Sequence, residues 1–152
     1  MSKNRIITIA AAALMGLVTT LAGPVTAASA DDLPVPPAFE YNTAVAGTPP
    51  AGLPNSSCIV HPGATVCFVA DGDRWWVRDT AADSASAAAY WQNVVNSKTA
   101  RSGRCLNSLG NGTWGYCSKN YVEASILLTE ARVFDASEGV TLSRSAPKTY
   151  FP

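Results

Sequence analysis

Between Ala64 and Arg78 the chain alternates about a break at Asp71-Gly72. Asp-Gly is a favoured two-residue hairpin turn, because both central positions take positive φ. A turn there sets Val69 against Arg74, Phe68 against Trp75, Cys67 against Trp76 and Val66 against Val77. One face then collects Val66, Phe68, Trp75 and Val77, and the other Thr65, Cys67, Val69, Arg74, Trp76 and Arg78. A slip of one residue would mix the two sets whereas a slip of two preserves them, so the alternation fixes which residues share a face and the turn fixes the pairing. It predicts Trp75 inside beside Phe68, and Trp76 outside beside Arg74 and Arg78.

Further hairpins follow from the same logic. His61-Pro62-Gly63-Ala64 carries Pro and Gly at the central turn positions, which pairs Ile59 with Val66 and Cys58 with Cys67. A loop at Gly110-Asn111-Gly112 sets Leu106 against Tyr116 and Cys105 against Cys117. Residues 121–134 are β-prone, with Ile126 and Leu128 on one face and Leu127, Ala131 and Val133 on the other. Apolar character on both faces predicts a central strand. Ser137-Glu138-Gly139 turns the chain into a last strand, 140–144. Residues 83–95 are ambiguous: Asp83 or Ser84 could cap a helix carrying Ala88, Trp91 and Val95. Alternation of Ala87, Ala89 and Trp91 favours a strand in a chain whose other elements are strands. About seven short strands with turns between them predict an all-β antiparallel sandwich or barrel.

The ends of the chain read differently. Lys3 and Arg5 precede an uncharged apolar stretch from Ile6 to Ala22, then Pro24 and the small-residue site Ala28-Ser29-Ala30. That order is a secretory signal, with Asp31 the expected first mature residue. The stretch is short and diluted for a membrane span of about 20 residues. No cysteine follows Leu21-Ala22-Gly23 for lipid attachment, and a single arginine does not make a twin-arginine signal. From Asp31 to Ser57 the prolines at Pro34, Pro36, Pro37, Pro49, Pro50 and Pro54 remove backbone donors, which predicts an extended leader. A proline-rich ligand for a partner's aromatic groove is the functional alternative there. The expected division is therefore signal 1–30, leader 31–57, disulfide-stapled β domain 58–146 and tail 147–152.

Charge and cysteines then narrow the partners. Removing Lys3 and Arg5 from the 11 basic residues leaves 9 against 11 acidic ones, without a basic stripe. Nucleic acid and anionic membrane surfaces are thereby disfavoured, and no membrane anchor is expected. Four cysteines in a small exported domain read as disulfides, Cys58–Cys67 and Cys105–Cys117 on the hairpin registers. Their spacings do not match the close pairs of structural zinc, so neither a metal nor a cofactor is expected.

The segment from Asp71 through Arg74-Trp75-Trp76-Val77-Arg78-Asp79-Thr80 and Ala82-Asp83, with Cys105-Leu106-Asn107-Ser108-Leu109-Gly110, resembles small secreted actinobacterial proteins without an assigned function. The resemblance spans about residues 58–145 and implies export and a β fold, but no site residues. It also implies a third cysteine pair near the positions of Arg132 and Arg144, which this chain lacks.

Candidate chemistry is sparse. His61 is the only histidine and is explained by its turn. No nucleophile elbow accompanies it. Asp71, Asp73, Asp79 and Asp83 are the densest carboxylates, and paired carboxylates can hydrolyse glycosides or hold calcium. Turn formation accounts for Asp71 and Asp73, and Trp75 stands where a calcium loop wants a third oxygen. The aromatic set Trp75, Trp76, Tyr90, Trp91, Trp114, Tyr116 and Tyr121 is large for this length. Trp76 has a structural reading, stacking on the Arg74 and Arg78 guanidinium groups or covering the first disulfide. In the functional reading, Trp76 with Arg74, Arg78 and Trp114 is the candidate binding surface, a flat platform for a sugar or a protein. The sequence thus reads as a secreted, non-enzymatic binding module for carbohydrate or another secreted protein. Alternatives are a protease or glycosidase inhibitor presenting Asn111-Gly112-Thr113-Trp114, and a small hydrolase using the aspartates.

Overall fold

The alternation about Asp71-Gly72 folds in the expected register, shown by a computed structural model that describes residues 38–152. The expected signal segment 1–30 and the expected leader residues 31–37 lie outside the described residues. Among the described residues the strands are β1 Phe39–Thr43, β2 Val45–Ala46, β3 Cys58–His61, β4 Ala64–Val69, β5 Arg74–Asp79, β6 Ser86–Val95, β7 Lys98–Asn107, β8 Trp114–Ser118, β9 Ile126–Asp135, β10 Val140–Arg144 and β11 Lys148–Tyr150. They form an all-β sandwich. The six-stranded sheet runs β1-β7-β6-β9-β10, with β11 also on β9, and the five-stranded sheet runs β2-β8-β5-β4-β3.

The Pro62-Gly63 turn joins β3 to β4 with Cys58 opposite Cys67, and residues 86–95 are a strand, as expected. The Asp71-Gly72 turn differs in detail. Positive φ falls on Gly72 and Asp73, not on Asp71, and Asp73 N donates to Ala70 O at 3.0 Å. Aspartate tolerates the left-handed region, and Asp73 is held there by Tyr121 N, which donates to its carboxylate at 2.6 Å.

The domain is wider than the 58–146 expected. Phe39–Thr43, placed in the leader, is a parallel edge strand on β7, and Val45–Ala46 adds an edge to β8. Neither strand contains a proline, so no ladder donor is lost. The expected tail supplies β11, whose Tyr150 is buried against Phe68 and Trp75 at ring separations of 5.8 and 5.6 Å.

Both disulfides pair as expected, but only Cys58–Cys67 clips a hairpin. Cys105 lies on β7 and Cys117 on β8, in different sheets, so Cys105–Cys117 ties the sheets together through the core. The buried Asn107 side chain causes the switch. Its amide donates to Val77 O at 2.7 Å and Thr113 O at 2.8 Å, while its oxygen accepts from Leu109 N at 2.9 Å. The chain is thereby turned out of one sheet and into the other.

The strand expected from Tyr121 begins at Ile126; Tyr121 instead plugs the core and its hydroxyl accepts from Trp75 Nε1 at 2.8 Å. β9 is central, between β6 and the β10/β11 pair, but its Ile126 and Leu128 face is open to solvent. β10 sets Arg144 opposite Arg132. Here Glu130 meets both arginines, at 2.7 Å from Arg132 and 3.8 Å from Arg144.

Gly103 shows how closely β1 packs. A Cβ there would lie 2.6 Å from both Glu40 O and the Trp91 ring. Neither backbone nor a buried indole yields cheaply, so Gly103→Ala should cost about 3 kcal/mol, at the upper end for overpacking. A denaturant melt with an unchanged midpoint would show that β1 is not held as described.

Candidate functional site

Arg74, Trp76 and Arg78 alternate along β5, and the β5–β8 register places Tyr116 beside Trp76 and Trp114 beside Arg78. The four residues expected from the sequence do share one outer face of the five-stranded sheet. Trp76, however, is only 4 % exposed, which corrects the expectation of an open indole platform. Its ring packs on Tyr116 at 4.9 Å, and the chain at Gly47 closes over both, near enough that a Cβ would sit 3.3 Å from the indole. That cover comes from the segment expected to be an outlying leader. The arginines stay exposed but engaged. Arg74 lies 5.7 Å from the Tyr116 centroid, while Arg78 lies 5.9 Å from Trp114 and donates to Gly112 O at 3.1 Å.

The aspartates do not converge. Asp73 and Asp79 lie at opposite ends of β5, about 20 Å apart at strand rise. Both are buried: Asp73 is bound to Tyr121 N, and Asp79 accepts from Ala81 N at 3.0 Å. Asp83 likewise accepts from Ala85 N at 3.1 Å, which makes it a turn former. Their geometry does not offer the close carboxylate pair that glycoside hydrolysis uses. His61 Nε2 contacts Ser143 Oγ at 3.0 Å, tying β3 to β10. Among the described residues no carboxylate hydrogen-bonds the imidazole to orient it as a base.

The richer surface is one that sequence reasoning missed, on the outer face of the six-stranded sheet. β1, β7, β6 and β9 direct Phe39, Tyr41, Arg104, Tyr90, Arg132 and Phe134 to this face, from positions spread over nearly the whole domain. Arg104 stacks between Tyr41 at 5.1 Å and Phe134 at 4.3 Å, and donates to Tyr90 Oη at 3.2 Å. Arg132 lies 3.9 Å from the Tyr90 centroid and is held by Glu130 through its Nε at 2.9 Å. Phe39 leans on Tyr41 and Tyr90, with centroids 4.8 and 5.9 Å away. Tyr41, Phe134 and Tyr90 each face a cation, Phe39 rests on Tyr41 and Tyr90, and each cation is held by a ring, a carboxylate or a phenol.

Beside this lattice lies a cleft of about 270 Å³, walled by Phe39, Tyr90, Leu128 and Pro147, with Gln92, Ser102, Glu130 and Arg132 as its polar groups. Ser102 is small and stands between Phe39 and Gln92 across the sheet, which leaves the hollow. The local signal was faint: alternation of Phe39 with Tyr41, and of Glu130 with Arg132 and Phe134.

No protein-family model matches the chain, and neither a curated protein nor a solved structure matches it.

Proposed function

We propose that the protein is an exported, non-catalytic binding module that holds a cell-wall or other polysaccharide on the outer face of its six-stranded sheet. The observation that carries this is the cleft beside Phe39 and Tyr90, in which Arg104 and Arg132 hold Tyr90 and Phe39 packs on it. Sugars present apolar C–H faces rimmed by hydroxyls. An apolar ring with Gln92, Ser102, Glu130 and Arg132 around it matches both parts. Tyr90, already held by Arg104 and Arg132, loses little side-chain entropy on binding, so more of its contact energy becomes affinity. Export is supported by the basic, apolar and small-residue order of residues 1–30, by the pairing of all four cysteines and by the resemblance to secreted actinobacterial proteins.

The test is co-sedimentation of the purified protein with insoluble peptidoglycan, chitin and cellulose. Wild type should pellet with at least one of them, and Tyr90→Ala should lose about tenfold or more in affinity, given about 1.4 kcal/mol per decade. Its fold should survive, because Tyr90 is half-buried on an outer face. Wild type remaining in the supernatant with all three polymers would refute the proposal.

Inhibition of a secreted hydrolase is the second reading, favoured by the loop at Asn111-Gly112-Thr113-Trp114. Asn107 anchors that loop from below, and Gly112 N donates to Asp79 O at 2.8 Å, so it projects as a rigid unit. A panel of secreted proteases and glycosidases separates this reading from the first.

A further inference from the structure

Lys119 follows β8 directly and turns its side chain into one end of the sandwich, where it is only 4 % exposed. There Nζ donates to Glu40 Oε2 at 2.7 Å and to Asn42 Oδ1 in a closer contact. Glu40 and Asn42 alternate along β1, so both project inward from the same edge strand. The Trp91 ring stands 4.9 Å from the amine. Arg101 holds Glu40 from the other side, through Nε to Oε1 at 2.8 Å and Nη2 to Oε2 at 3.2 Å, and closes the site over Trp91 and Tyr121. A primary amine, a carboxamide and a carboxylate therefore meet in one sheltered place.

An ordinary ion pair needs none of this apparatus. Glu40 and Lys119 on the surface would suffice, and burying a lysine is costly unless the site returns something. We propose that Lys119 and Asn42 form an intramolecular amide bond, with Glu40 as the catalytic carboxylate. Glu40 takes one proton from the Lys119 ammonium, and the neutral amine adds to Asn42 Cγ, one bond from the oxygen it already contacts. The Cγ–Nδ2 bond then breaks while Glu40 returns the proton to the departing nitrogen. One of the two protons left on Nζ departs with that nitrogen and the other stays as the new amide N–H, so lysine ammonium and carboxamide become a secondary amide and an ammonium ion. No oxidant, reductant or cofactor enters.

Three features of the site serve this step. Holding amine and carboxamide in contact replaces a bimolecular encounter by an intramolecular one, worth effective molarities of about 10⁵ M or more in well-oriented cases. The Trp91 ring beside the amine of Lys119, whose side chain is 4 % exposed, limits the water that would compete for the amide carbon. Burial alone would raise the Glu40 carboxyl, but its bonds to Arg101 and Lys119 outweigh that and hold it below the ordinary range, so it enters as the carboxylate. Arg101 still balances Glu40 after the ammonium has gone. The product would join the parallel edge strand of one sheet to the strand end of the other, where β1 is otherwise held by a single neighbour.

Intact-mass and peptide-mapping measurements on the full exported chain test this directly. Wild type should be lighter by one ammonia than the sequence with two disulfides, and tryptic digestion should yield one branched peptide containing both Asn42 and Lys119. Glu40→Gln should have the unshifted mass and two separate peptides. The branched peptide also distinguishes this bond from succinimide formation at Asn42, which loses the same ammonia without linking Lys119. A wild-type digest in which Asn42 and Lys119 fall on separate unmodified peptides would overturn the proposal, and a linked Glu40→Gln would overturn the role of Glu40.

Discussion

Trp75→Ala should destabilise the domain by about 3–5 kcal/mol, the range for truncating a large aromatic in a core. Trp75 is fully buried, packs on Phe68 at 4.6 Å and Tyr150 at 5.6 Å, and satisfies the Tyr121 hydroxyl. Truncation leaves that hydroxyl buried without its partner, a penalty of about 1–3 kcal/mol, which places this variant at the top of the range. Trp76→Ala should also cost about 3 kcal/mol, because Trp76 is nearly as buried. Its Nε1 has no hydrogen-bond partner among the described residues, so truncation removes an unsatisfied donor as well as packing area, and the loss is smaller than at Trp75. Urea melts of the two variants check the ordering. A loss under about 1 kcal/mol for Trp76→Ala would mean that residues 44–48 do not cover the indole.

Removing the Cys105–Cys117 bridge should be the second large loss, and should exceed that for Cys58–Cys67. The chain-entropy model assigns about 2.5–3 kcal/mol to loops of either length, so entropy alone hardly separates them. Location does. Cys58–Cys67 spans two strands that already share a ladder, and β3 is an edge. Cys105 and Cys117 are buried in the main core and connect the sheets, so a double alanine variant also opens a cavity there. Cys105→Ala/Cys117→Ala should lose about 4 kcal/mol and Cys58→Ala/Cys67→Ala about 2. Equal losses would show that the inter-sheet link adds nothing beyond loop closure.

The contrast between these pairs shows what local sequence can carry. The β4–β5 register was legible because a two-residue turn and strict alternation specify both partners within fifteen residues. The same alternation around Gly110-Asn111-Gly112 looked like a hairpin, and the cysteine pairing came out right for a different reason. Only the buried Asn107 reveals that the chain changes sheet, and an asparagine before a glycine-rich loop carries no mark of burial. Trp76 was assigned to the correct face of its sheet, but alternation says nothing of what lies on that face. The cover arrives from Gly47 and Tyr116, far away in sequence.

Flanking prolines hid β1, although Phe39, Tyr41 and their polar neighbours alternate as a strand should. With β1 hidden, two further features were out of reach: the Lys119–Glu40–Asn42 cluster and the aromatic lattice on the outer face. The lattice is assembled by the sheet order β1-β7-β6-β9, and the cluster by the packing of β1 against the end of β8 in the other sheet. Tyr150 was similarly lost in a short terminal segment whose burial depends on a hollow between sheets.

The placement of the binding surface is tested most directly by comparing one variant from each outer face on the same insoluble polymer. Tyr90→Ala and Trp114→Ala both truncate half-buried aromatics, so neither should unfold the protein. On the polymer that retains wild type, Tyr90→Ala should lose binding while Trp114→Ala keeps it. Loss with Trp114→Ala and retention with Tyr90→Ala would place the ligand on the five-stranded sheet and contradict the proposed site.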